Sequence, residues 1–185
     1  NLTGNEVIVL QHPDTTESKK SQSQILATLR AIIRTKHNAI IIGSNIDTGY
    51  SAMNETVQEF SKKYSSIRFF RSLPREDYLG LLKNCKLLIG NSSSGIIEST
   101  LFKIPVINIG DRQKGRERGP NVIDVERFSQ QLIFTALKKA LLIKKSRMKI
   151  KYIYGKGIAA QIIVQYLEKI KLDEKLIKKE LFIED

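Results

Sequence analysis

The sequence predicts an α/β fold, a Rossmann-like doubly wound parallel sheet, and three observations carry that expectation. Short apolar runs alternate with longer stretches in which apolar residues recur at helical spacing. The runs are almost continuously apolar, as in strands covered on both faces, rather than alternating as in strands with one wet face. Each is bounded by Gly, Pro, Asn or Ser.

In chain order, the first strand is expected at Glu6–Leu10 (EVIVL), followed by the polar segment Gln11-His12-Pro13. A helix over about 18–36 comes next, because Ile25, Leu26, Leu29, Ile32 and Ile33 make one apolar stripe. Ala39–Gly43 (AIIIG) is the second strand; Ser44-Asn45-Ile46-Asp47 and a helix over about 50–64 follow it. Ile67–Arg71 (IRFFR) is the third, with Ser72-Leu73-Pro74 and a helix over about 75–84. Lys86–Gly90 (KLLIG) runs into Asn91-Ser92-Ser93-Ser94-Gly95 and a helix over about 95–102. After the fifth strand, Ile104–Ile109 (IPVINI), residues 110–121 hold three Gly, one Pro and four basic side chains, which reads as a long functional loop. A short strand near Val122–Val125, a helix over about 127–142 and further helices over about 157–171 and in the tail complete the chain. Strands alternating with helices imply right-handed βαβ units.

Composition narrows the classes. The 185 residues suit one domain over 1–185, with C-terminal helices from about 157. Cys85 is the sole cysteine, which rules out an internal disulfide framework and argues against a Cys-based zinc cage. No metal or cofactor is expected. No apolar stretch reaches the roughly 18 residues of a spanning helix, and no signal-peptide pattern is present, so a cytoplasmic location is the expectation. The chain opens on Asn1 rather than Met, which reads as a piece of a longer protein. Its 31 Lys and Arg against 19 Asp and Glu leave a formal charge of +12. That excess invites nucleic acid, a membrane surface or a phosphorylated ligand.

In an open parallel sheet, ligands bind at the carboxyl ends of the strands, where strand order reverses. The Asn91–Gly95 turn sits at such an end and opens a helix, so backbone N–H groups, hydroxyls and the helix dipole together favour a phosphate. It is neither a Walker A loop nor a G-x-G-x-x-G fingerprint. Simple capping of the helix by Ser93 or Ser94 is the competing reading. Glu98, one turn further on, is placed either to complement the dipole or to accept ribose hydroxyls. His12 projects from a strand end before a proline, where it is structural or catalytic. Arg112, Lys114, Arg116 and Arg118 share one loop with Glu117, either as a diphosphate clamp or as solvated charge. Lys138 to Lys151 carries seven bases and no acid. Tyr152 and Tyr154 do not interleave with them as a stacking platform would, so solvated surface is favoured over nucleic-acid binding.

QHPDTT at 11–16, GSNIDTG at 43–49, IGNSSSGIIES at 89–99 and PVINIGDRQKGRERGPNVIDV at 105–125 resemble the UDP-N-acetylglucosamine 2-epimerases. Within them the chain looks like the hydrolysing branch that serves sialic-acid-type synthesis. The non-hydrolysing branch shows Ser-Gly-Gly-x-Gln-Glu-Glu and Thr-Glu-Arg-Pro-Glu where this chain has Ser-Ser-Ser-Gly-Ile-Ile-Glu and Asp-Arg-Gln-Lys-Gly-Arg-Glu. The resemblance implies the C-terminal, nucleotide-binding half of a GT-B fold, the N-terminal catalytic half lying outside this chain. It implies that Ser92 and Ser93 bind the diphosphate, Glu98 the ribose hydroxyls, Leu73 the uracil through its backbone, and that Asn45 lies near the nucleotide. Arg112 and His12 would reach the diphosphate and the reacting side of the sugar, His12 as a catalytic group.

The implied reaction is removal of the C2 proton, anti elimination of UDP and hydration to N-acetylmannosamine. UDP and UDP-N-acetylglucosamine are the expected partners, with no nucleic acid and no membrane. The full-length enzyme is expected to be a dimer or tetramer and this chain alone to be inactive. The alternatives are the donor-binding domain of a GT-B UDP-sugar glycosyltransferase and a non-catalytic basic nucleic-acid-binding module.

Overall fold

The computed structural model describes residues 2–44, 46–149, 152–155 and 157–178. The chain divides into two compact units, Asn1–Ile153 and Tyr154–Asp185. The first holds a six-stranded sheet: β1 Val7–Leu10, β2 Ala39–Ile42, β3 Ile67–Phe70, β4 Leu87–Gly90, β5 Val106–Ile109 and β6 Val122–Val125. Its spatial order is β3-β2-β1-β4-β5-β6 and every neighbouring pair is parallel, as expected of a doubly wound fold. The helices of this unit are α1 Ser21–Ile33, α2 Tyr50–Lys63, α3 Arg75–Asn84, α4 Ser94–Ile97, α5 Ser99–Phe102 and α6 Gln130–Leu141. The second unit contains α7 Ala159–Lys169 and α8 Glu174–Ile177. Among the described residues no helix is long and apolar enough to cross a membrane.

Strand side chains alternate between the two faces, and the core divides accordingly. Val7, Val9, Ile41, Ile89 and Ile107 face one way and pack with Ile25, Leu29 and Ile32 of α1, Met53 and Val57 of α2, and Ile133 and Leu137 of α6. Ile8, Leu10, Ile42, Leu88 and Val106 face the other, against Leu82 and Cys85 with Tyr78 and Phe102 at the margin. β1, β2 and β4 are buried along their whole length, which explains why they read as unbroken apolar runs. β3 and β6, at the sheet edges, are partly exposed and carry Arg68 and Asp124.

The strands are shorter than their apolar runs for local reasons. Pro105 has no N–H to give a ladder, and the N–H of Ile104 turns back to the carbonyl of Ser99 (3.2 Å), so β5 begins at Val106. Glu6 is buried, but its carboxylate accepts from the N–H groups of Thr3 (2.7 Å) and Gly4 (3.0 Å), closing the entrance to β1. The helix expected over 95–102 is two short helices meeting at Glu98. Ser99 Oγ donates to the carbonyl of Gly95 (2.6 Å) and Thr100 Oγ1 to that of Ile97 (3.1 Å). Hydroxyls bonded back onto the preceding turn bend helices. Asn121 Nδ2 then holds Ser99 Oγ (2.9 Å), fixing the bend.

Gly90 ends β4 with φ of 147°, and a Cβ there would lie 2.0 Å from the carbonyl oxygen of Leu10. Gly90→Ala is therefore expected to lower unfolding stability by about 3 kcal/mol or more, from backbone strain and a clash at the β1–β4 seam. Urea unfolding followed by circular dichroism measures this; a loss below about 1 kcal/mol, the ordinary scale of single substitutions, would refute the constraint.

Candidate functional site

In this strand order the reversal lies between β1 and β4, where α1 and α4 leave toward opposite faces. A cleft of about 530 Å³ opens there and extends over the ends of β2 and β3. His12, Leu73, Ser92, Ser93 and Arg112, the residues selected from the sequence, all line it. Asn45 lies outside the described residues. Glu98 stands behind the wall rather than in the lining. Its carboxylate pairs with Arg75 at 3.2 Å, and it is Arg75, at the start of α3, that lines the cleft.

Asn91 organises the seam. Its Oδ1 accepts the N–H of His12 at 2.7 Å and its Nδ2 donates to the His12 carbonyl at 2.9 Å. A side-chain amide thus continues the β1–β4 pairing one step past the ladder. Asn91 is 1% exposed, and its own carbonyl accepts from Gln113 Nε2 (2.9 Å) and Arg112 Nη1 (3.3 Å).

The serine turn divides its labour. Helical bonding begins with the Gly95 N–H to the carbonyl of Ser92 (3.1 Å), so the preceding amides stand ahead of the first turn. Ser93 occupies the N-cap position, yet its side chain makes no capping hydrogen bond. The hydroxyl of Ser94 is engaged by the hydroxyl of Tyr78 from α3. Capping is therefore not what Ser93 does; Ser92 Oγ accepts the Ser94 N–H at 3.4 Å, and Ser92 and Ser93 both line the cleft.

Of the four bases in the 110–121 loop, only Arg112 lines the cleft. Arg118 is tied down by Asp124 of β6 and by the carbonyl of Gln113 (2.7 Å); it shapes the loop. Lys114 and Arg116 are exposed and outside the lining. The four-base clamp reduces to one arginine from this loop. Arg71 and Arg75, which sequence reasoning did not select, supply the others, so three arginines and no carboxylate line the cleft. A second cleft of the same volume lies over the ends of β5 and β6, with Asp14, Glu17, Asp111 and Glu126 in its wall. Only the first suits an anion.

His12 is 5% exposed. Burial, reinforced by the Arg112 charge and opposed by Asp47, lowers its pKa from 6.5 to about 4. The imidazole is neutral at neutral pH in the unliganded site. Tyr78, Ser44 and Ser72 also line the cleft and Asn91 stands behind it, four side chains the sequence did not assign. Tyr78 carried no signal, being one apolar-face position of α3 among several. Ser44 and Asn91 stood in the strand-end segments, but nothing in the sequence shows which side chains turn inward.

A family model described as UDP-N-acetylglucosamine 2-epimerase matches residues 2–168. A polysialic acid biosynthesis protein P7 of Escherichia coli is 47% identical over 120 residues, 64% of this chain and 30% of that protein. A UDP-N,N'-diacetylbacillosamine 2-epimerase (hydrolyzing) of Legionella pneumophila is 33% identical over 172 residues, 93% of this chain and 45% of that one. The chain spans less than half the length of these curated relatives. The crystal structure of the Methanocaldococcus jannaschii UDP-GlcNAc 2-epimerase in complex with UDP-GlcNAc and UDP superposes with a TM-score of 0.68 at 17% identity. It covers 89% of this chain and 45% of that one.

Because the native His12 ring binds its proton less tightly than the unfolded chain, protonation is linked to unfolding. Stability is expected to be fully present above about pH 6.5 and to fall as pH drops toward about 4, below which this contribution is spent. Proton NMR of the ring should show the titration near pH 4. A midpoint near 6.5 would refute the buried, Arg112-facing environment.

Proposed function

The chain belongs to the UDP-N-acetylglucosamine 2-epimerase family, and on that premise we propose that it is the UDP-binding part of a hydrolysing UDP-N-acetylglucosamine 2-epimerase. The observation that carries this reading is a strand-end cleft walled by Arg71, Arg75 and Arg112, with Ser92 and Ser93 at the start of a helix and no carboxylate. Such a cleft suits a nucleoside diphosphate.

In this reading the hydroxyls and amides of Ser92 and Ser93, with Arg112, hold the diphosphate. Leu73 meets the uracil through its backbone, Asn45 lies near the nucleotide, and Glu98 accepts the ribose hydroxyls once Arg75 yields them room. The reaction removes the proton at sugar C2, expels UDP anti to it and adds water to the resulting glycal. As the glycosidic C–O bond breaks, negative charge gathers on the β-phosphate, where preset donors and Arg112 stabilise it. The bound diphosphate offsets the Arg112 charge and raises the proton affinity of His12, which can then donate to the departing oxygen. The C2 base lies outside these residues, so the chain by itself binds UDP without turning over a sugar nucleotide. A second reading of the sugar is favoured by the Legionella relative: a substrate with a further acetamido group, as in UDP-N,N'-diacetylbacillosamine.

Calorimetric titration with UDP tests the site. Arg112→Ala should weaken binding by about 1.5–3 kcal/mol, the usual worth of a hydrogen bond to a charged group, and Ser93→Ala by about 1 kcal/mol. Unchanged affinity in both variants would remove the assignment. UDP release by the full-length protein, assayed with each of the two sugar nucleotides, decides the substrate.

A further inference from the structure

Behind the cleft wall, a run of hydrogen bonds joins the outer strands to the serine turn without lining the cleft. Asn108 of β5 donates through Nδ2 to Asp124 of β6 (2.8 Å), and Asp124 pairs with Arg118. Arg118 Nη2 donates to the carbonyl of Gln113 (2.7 Å), and Gln113 Nε2 to the carbonyl of Asn91 (2.9 Å). Asn91 in turn holds both backbone groups of His12. The run crosses the carboxyl ends of four strands, from β6 to β1.

The Asn91 carbonyl is the junction. It accepts from Gln113 at 2.9 Å and from Arg112 at 3.3 Å, and the residue is buried. Arg112 is also the cleft arginine proposed to meet the diphosphate. A buried carbonyl deserted by its only donor costs the desolvation of that group. With two donors, one can leave. We propose that Gln113 is a positioning residue that keeps the Asn91 carbonyl paired, so that Arg112 can turn to the diphosphate while the Asn91–His12 bridge stays set. This proposal rests on the nucleotide reading above. Two features mark Gln113 as placed for its donor: it is 3% exposed, and its buried Oε1 has no hydrogen-bond partner. A glutamine kept only to fill space would be better replaced by an apolar residue.

Gln113→Leu tests this directly. Leucine removes the unpaired Oε1 together with the donor, so thermal stability should hold or rise, whereas UDP affinity measured by calorimetry should fall about tenfold, the scale of one buried hydrogen bond. Gln113→Glu supplies a second arm. Its protonated carboxyl can donate to Asn91 and its ionised form cannot, so its affinity relative to wild type at the same pH should recover as pH falls. Wild-type affinity in Gln113→Leu, or a ratio for Gln113→Glu that stays flat with pH, overturns the proposal. If the unaltered chain fails to bind UDP, the nucleotide reading fails instead. The positioning role is then judged by hydrogen exchange of the His12 amide in an Arg112→Ala background, where Gln113 is the donor left to the Asn91 carbonyl and Gln113→Leu should quicken exchange about tenfold relative to Val9. An unchanged rate overturns it.

Discussion

The side-chain amide of Asn91 holds together the two strand ends on which the cleft is built. At the reversal of a doubly wound sheet, the chain leaves β1 and β4 toward opposite faces, and the ladder has nothing further to pair with. Asn91 accepts from and donates to the same residue, His12, so it reproduces a backbone pairing with a side chain. Gly90 makes this possible by letting the backbone pass within contact of the Leu10 carbonyl. The direction of the His12 ring, the start of the serine turn and the anchorage of the 110–121 loop all follow from that junction.

Charge is distributed by the fold more than by the composition. The net +12 does not identify a partner, because most of it lies away from the cleft. Arg118 is spent on Asp124 and the loop backbone. Lys145 donates to the carbonyl of Lys83, burial lowering its pKa, and Lys138 sits over the ring of Phe134, so part of the basic run is structural; Lys151 lies outside the described residues. What suits the first cleft to an anion is three arginines with no acid in its lining, while the neighbouring cleft of equal volume is rich in carboxylates. His12 is neutral chiefly because burial disfavours its charged form, an effect the neighbouring Arg112 charge reinforces.

The strands and their parallel pairing were legible because the central strands are covered on both faces, which writes itself into the chain as unbroken runs such as VIVL and AIII; their spatial order was not. Their exact ends were not, since Pro105 and Glu6 act through neighbours. The split of the helix at Glu98 was illegible because it needs Asn121, 22 residues from Ser99, to fix a bend that two hydroxyls begin. In the cleft, His12, Ser92, Ser93 and Arg112 could be picked out as polar residues of strand-end turns and loops, and Leu73 through the family resemblance. Tyr78 and Arg75 could not, because they reach the cleft from α3, an element whose sequence only says which face packs inward.

By itself the sequence determined the alternation of strands and helices, the strand ends at which a ligand could bind, and the family to which the motifs belong. Those are properties of short stretches, where periodicity and turn chemistry suffice. Only the tertiary structure decided which of four loop bases faces the cleft, that Ser93 does not cap its helix, that His12 is neutral, and that Gln113 and Arg112 share one carbonyl. Each of these depends on groups from different strands and loops meeting at one cleft, where desolvation and pairing set charge and geometry and no local pattern records the outcome.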